Sequence, residues 1–91
     1  MAHRLSRRAE RDLKDIYTHT FKTFGEGQAD KYLHELDAVF EIIGDNHKIG
    51  RAYSKRTFQF VHGKHIILYR VEKQIALIGR ILHGAQNRKD S

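Results

Sequence analysis

The sequence predicts an α+β fold: a helical hairpin packed on a small antiparallel sheet, in the order β-α-α-β-β-β. Three observations lead there. The stretch from Phe58 to His83 is dense in Ile, Leu, Val, Phe and Tyr, and two polar turns divide it. Ahead of it, two long segments repeat apolar residues at helical spacing, with one glycine-containing break between them. The chain has 91 residues, the size of one domain with a modest core.

Taken in order, Ala2 to Leu5 reads as a short strand at the sheet edge. Ser6 suits a helix N-cap, because its hydroxyl can accept from the free amides of a first turn. Ala9, Leu13, Ile16, Tyr17 and Thr20 then fall on one helical face, which predicts a helix from about Arg7 to Lys22. Arg7 and Arg8 oppose the dipole of that helix and read as solvated charges. Gly25 is placed to end it in a left-handed cap. A second helix, from about Glu26 to Asp45, carries its apolar stripe on Ala29, Tyr32, Leu33, Leu36, Phe40 and Ile43. So short a link makes the two an antiparallel hairpin.

Gly44 to Arg56 reads as a polar connector, made basic by Lys48, Arg51, Lys55 and Arg56. Three strands follow, roughly Thr57–His62, His65–Val71 and Gln74–His83, joined by two-residue turns at Gly63-Lys64 and Glu72-Lys73. Residues 84–91 form a polar, basic tail to the single domain 1–91.

Because side chains alternate along a strand, this pairing sorts them onto two faces. One face is expected to carry Val61, Ile66, Leu68, Ile75, Leu77 and Ile81. The other is expected to carry Phe58, Phe60, Ile67, Tyr69, Val71, Ile78 and Leu82. Both are apolar, whereas a sheet with one wet face should alternate. One hairpin, two helix diameters or about 20 Å wide, covers one face. The second apolar face therefore points to a partner chain, the alternative being that loops and the N-terminal strand shield it.

Composition narrows the partner. Lys and Arg number 17 against 11 Asp and Glu, a net charge of +6. Such a field attracts nucleic acid, a membrane surface or an acidic protein. There is no cysteine, so no disulfide and no thiolate metal site. His62 and His65 straddle a turn without a second ligand set, so no metal is expected. No phosphate-binding glycine loop or nucleophile motif is present, and no cofactor is expected. No apolar run approaches a membrane span, and the start has no apolar signal core, so the expectation is a cytoplasmic protein with no membrane partner.

The order of elements resembles the RelE/ParE superfamily of toxins from bacterial toxin–antitoxin modules. The resemblance spans nearly the whole chain. Its strongest portion is His65-Ile66-Ile67-Leu68-Tyr69-Arg70-Val71, a polar turn, then Ile78-Gly79-Arg80-Ile81-Leu82-His83-Gly84. Together with Ile49-Gly50-Arg51 and Lys55-Arg56, these are similar to the ParE branch in particular. The resemblance implies a growth-inhibiting toxin, neutralised by a ParD-like antitoxin that wraps it as a helix and extended chain. It implies DNA gyrase as the target, inhibited by binding rather than by covalent chemistry.

On this reading Arg80, His83, Arg88 and Lys89 are candidates to contact the target, at the basic sheet end and tail. Ile67, Tyr69, Ile78 and Leu82 are candidates to contact the antitoxin. The RelE branch implies the alternative, a ribosome-dependent messenger endoribonuclease. Its base, acid and phosphate-stabilising cations would be drawn from Arg56, Arg70, Arg80 and His83. In related ribonuclease toxins the middle strand reads His-Arg-Leu-Val-Tyr. Here Ile66 stands where the arginine would, which counts against that alternative. Direct nucleic-acid binding by a non-toxic basic module is a third reading, ranked below both.

Each candidate also has a plainer role. Arg80, among Ile78 and Leu82, is either paired with an acid, its own or a partner's, or extends outward. His83 suits a strand-end hydrogen bond, Arg70 a solvated edge and Tyr69 the core.

Overall fold

A computed structural model of the chain describes residues 2–84. Strand β1 (His3–Leu5) leads into helices α1 (Arg7–Phe24) and α2 (Glu26–Asp45). A single 3-10 turn at His47–Ile49 follows, then strands β2 (Arg51–Ser54), β3 (Thr57–His62), β4 (His65–Glu72) and β5 (Ile75–His83). The strands form one sheet in the order β1-β5-β4-β3-β2. The helical hairpin lies on one face of it. Among the described residues no helix is long and apolar enough to cross a membrane.

The hairpin forms where its apolar spacing places it. Ser6 caps α1, its Oγ accepting from the Ala9 amide at 3.0 Å. Gly25 separates the helices, with its amide donating to Phe21 O at 2.8 Å. Its φ is +94° as the cap requires, but ψ is 174°, outside the left-handed helical well and in a region that essentially glycine alone enters. Ala29, Leu36, Val39, Phe40 and Ile43 of α2 are buried, with Ala9 of α1. All of these but Ala29 meet Ile67, Tyr69, Ala76, Ile78 and Ile81 from the sheet. Each large side chain so buried contributes about 1.5–3 kcal/mol.

The sheet departs from expectation in three ways. It is mixed, because β1 pairs parallel to β5, His3 opposite Ala76 and Leu5 opposite Ile78. It has a fifth strand inside the expected connector. Arg51–Ser54 has no apolar alternation and is exposed along its length, so only its pairing with β3 makes it a strand.

The third departure is a β-bulge. The β4–β5 turn falls on Lys73 and Gln74, both with positive φ (51° and 66°), one residue later than expected. The pairing slides by two residues as a result, which leaves every side chain on its expected face. Further along, Leu68 pairs with Arg80 while Tyr69 pairs with Ile78. Gly79 is the extra residue, and past it the alternation in β5 is inverted. Ile81 therefore turns into the core, 3% exposed, and Leu82 turns out, opposite Ile66.

Tyr69 anchors the segment after α2 to the core. Its hydroxyl donates to His47 O at 2.7 Å and accepts from the Gly50 amide at 2.9 Å. Burial pushes the phenol pKa up, which keeps the proton it donates. Gly50 is needed for space: a Cβ there would lie 2.5 Å from the Tyr69 hydroxyl and 2.8 Å from Gln59 O. Tyr69→Phe should therefore cost about 1–3 kcal/mol by leaving two partners unpaired. Gly50→Ala should cost about 1–3 kcal/mol by overpacking. Urea unfolding checks both, and an unchanged midpoint in either would refute the anchor.

Candidate functional site

With α1 and α2 on one face, the opposite face of the sheet stays open, and the strand register fixes its contents. Residues directly opposite each other share a face. Val61, Ile66 and Leu82 form one cross-strand row. Arg51, Gln59, Leu68 and Arg80 form the next. Arg70, Leu77 and Arg4 form a third. Ile75 lies beyond, opposite Glu72. Val61 is 60% exposed, and Leu68, Leu77 and Leu82 are half-buried. The result is an apolar strip with arginines beside it, a surface that takes an amphipathic partner.

Charge is divided between the layers. From Asn46 to Val71 there is no Asp or Glu, while Lys48, Arg51, Lys55, Arg56, Lys64 and Arg70 all fall there. Helix α2 carries Glu26, Asp30, Glu35, Asp37, Glu41 and Asp45 against Lys31 alone. The sheet side is the basic side of the molecule, which suits an acidic partner.

Of the residues expected to meet an antitoxin, Ile67, Tyr69 and Ile78 are at most 1% exposed beneath the hairpin. They are core, so a partner reaches none of them without unfolding the chain. Leu82 is on the open face, for a reason the expected register did not contain, the bulge at Gly79. The open face is instead that of Val61, Ile66, Leu68, Ile75 and Leu77, with Leu82 in place of Ile81.

Arg80 does not stand free for a target. Its Nε donates to Asp12 Oδ2 at 2.8 Å and its Nη2 to Oδ1 at 3.4 Å. The same Oδ2 accepts from the Ile81 amide at 3.0 Å, and Arg8 approaches Oδ1 at 3.7 Å. Asp12 is an anchor that sequence reading missed. It sits on the outward side of a helical pattern, and only the path of α1 along β5 gives it a partner. Arg4 and Arg51 were likewise missed as members of the open face, since strand pairing alone puts them there. Arg88 and Lys89 lie outside the described residues.

The four side chains proposed for ribonuclease chemistry are not brought together. Arg56 lies in the β2–β3 turn, at the end of the sheet where Arg70 is ion-paired with Glu72. His83 is at the other end, opposite His65. Arg70 lies five positions along β4 from His65, roughly 17 Å at the usual rise. Arg80, between these ends, is held by Asp12.

Comparison with known proteins agrees with this architecture. The family described as the ParE toxin of the type II toxin–antitoxin system, parDE, matches residues 4–88. Toxin ParE1 of Caulobacter vibrioides is 37% identical over 91 residues, covering 93% of this chain and 91% of its own. Toxin ParE1 of Mycobacterium tuberculosis is 32% identical over 87 residues, covering 87% and 85%. Among solved structures, the chromosomal ParDE system from P. aeruginosa superposes with a TM-score of 0.79 at 22% identity, over 91% of this chain and 95% of that one. The RelBE2 toxin–antitoxin complex from M. tuberculosis gives 0.64 at 19% identity, over 90% and 95%.

The Asp12 anchor makes a prediction that separates it from a surface ion pair. Asp12→Ala should cost about 2–3 kcal/mol, because it strands both the guanidinium and the Ile81 amide. Arg80→Ala, which removes a half-exposed partner only, should cost less, about 1 kcal/mol. Unfolding of the singles and the double variant measures the coupling. Additive effects would show that the two side chains do not support each other.

Proposed function

The chain belongs to the ParE toxin family of type II toxin–antitoxin systems, and from that premise we propose that it arrests growth by binding DNA gyrase and is neutralised by a ParD-like antitoxin on its open sheet face. The observation that carries the antitoxin half is the face itself. Val61, Ile66, Leu68, Leu77 and Leu82 form a strip that the hairpin does not cover, flanked by Arg4, Arg51 and Arg70. A segment with an apolar stripe and acidic flanks would bury the strip and meet the arginines. Binding an antitoxin on one surface and gyrase on another needs no covalent chemistry from this chain, so in this reading it acts as a binder.

The gyrase half rests on the family resemblance. Arg80 is committed to Asp12, which leaves His83 and the tail cations Arg88 and Lys89 as the target contacts we propose. Dispersal of Arg56, Arg70, Arg80 and His83 along the sheet argues against the ribonuclease reading.

Leu68→Asp and Leu77→Asp put a charge into the strip without entering the core. Each should weaken antitoxin binding on the order of hundredfold, with the circular dichroism of the toxin unchanged. Wild-type affinity in both variants would move the antitoxin elsewhere. For the target, purified protein should inhibit gyrase supercoiling, and induction should arrest growth with intact messengers. Normal supercoiling with cleaved messengers would overturn the gyrase reading in favour of the ribonuclease.

A further inference from the structure

Three histidines that look unrelated in sequence stand in one row across the three central strands, at one end of the sheet. His62 of β3 is directly opposite His65 of β4, and His65 is directly opposite His83 of β5. They share the face of Phe60, Ile67 and Ile81, so the row closes one end of the core beneath the hairpin. The rings of His65 and His83 meet edge to face with centroids 5.6 Å apart. Tyr32 of α2 covers the row, stacked on His62 at 5.9 Å and tilted against His65 at 5.5 Å.

Polar contacts tie this row to α2. The Tyr32 hydroxyl is 2.7 Å from His65 Nδ1 and 3.4 Å from His62 O. A neutral His65 that carries its proton on Nε2 accepts from the hydroxyl; with the proton on Nδ1 the ring donates instead, and the hydroxyl donates to His62 O. Glu35 Oε1 is 3.3 Å from His62 Nε2. Lys64 lies in the turn between His62 and His65, and His19 of α1 also bears on His65.

We propose that His62, His65 and His83 form a proton-operated latch, which holds α2 to the end of the sheet while His65 is neutral and releases it when the row becomes charged. Glu35 can balance one proton, on His62. Further protons place like charges directly opposite each other, an arrangement that destabilises strand pairs. With a proton on His65 Nδ1 the Tyr32 hydroxyl can only accept there, and its own proton is left with the long 3.4 Å contact to His62 O. The three rings do not converge as ligands, and among the described residues no cluster of three suited to a metal ion is found.

The direction with pH follows. Burial first, then the neighbouring His83, His62 and His19, lower the His65 pKa below its usual 6.5. The unfolded chain therefore takes up this proton more readily than the folded one. The stability concerned is fully present above about pH 6.5 and is lost as pH falls from there through the folded value. This inference concerns the fold and stands whether or not gyrase is the target.

Urea unfolding of the full chain at pH 7.5 and 5.5 tests it. The wild-type unfolding constant should rise between the two, by at most about tenfold for one histidine, over a range in which ordinary carboxylates scarcely titrate. His83→Gln removes one charge from the exposed end of the row and should make that rise measurably smaller, with the burial of His65 retaining the rest. His65→Gln should abolish most of it. If His65→Gln fails to fold, hydrogen exchange on the wild type decides. Protection at pH 5.5 should fall first around Tyr32 to Glu35 and the β3–β4 turn, with β1 and its β5 partner still protected. An equal rise in wild type and His83→Gln, or a uniform loss of protection, would overturn the latch.

Discussion

Strand β5 pairs with β1 only as far as Ile78, and beyond that residue its outer edge would be bare backbone if α1 did not run beside it. Ser6 donates its amide to Ile78 O and its hydroxyl to Gly79 O, both at 2.9 Å. One helical stretch later, Asp12 takes the Ile81 amide and the Arg80 guanidinium. An unpaired edge is both a lost set of hydrogen bonds and a template for aggregation. The first two turns of α1 remove that liability with side chains rather than with another strand. They also fix where the hairpin lies. Once α1 is fastened to this edge, α2 falls over the face of Ile67 and Ile78, and the opposite face is left for a partner.

Much of this was legible in the sequence because local rules and tertiary needs agreed. Ser6, Gly25 and the apolar stripe of α2 each signalled their role, and the helices formed where those signals placed them. The strands β3 to β5 were visible for the same reason. Strand β2 was not, because Arg51-Ala52-Tyr53-Ser54 has no pattern of its own and exists by pairing. The bulge was not, because Gly79 inside a strand announces a possible irregularity without its direction. That one residue exchanged Ile81 for Leu82 on the two faces.

The site was less legible than the fold. Two apolar faces were evident, but which of them the hairpin would take depends on how α1 is fastened, a contact between residues far apart in the chain. Without it, Ile67, Tyr69 and Ile78 looked as available as Val61, Leu68 and Leu77. Arg80 had been expected to be paired or extended outward, and its partner proved to be Asp12. The histidine row was invisible for a similar reason. Residues 62, 65 and 83 have no helical or metal-ligand spacing, and two hairpin registers are needed to align them.

The pairing of β1 with β5 joins residues some seventy positions apart, as the bond from Ser6 to Gly79 illustrates. During synthesis the amino-terminal strand leaves the ribosome long before its partner exists. The β3–β4–β5 meander is local and closes quickly, but the edge that fastens α1 appears only with the last strand. Until then the hairpin has no β5 to lie against and the core cannot close. A chain built this way cannot complete the surface it offers a partner until β5 has been made.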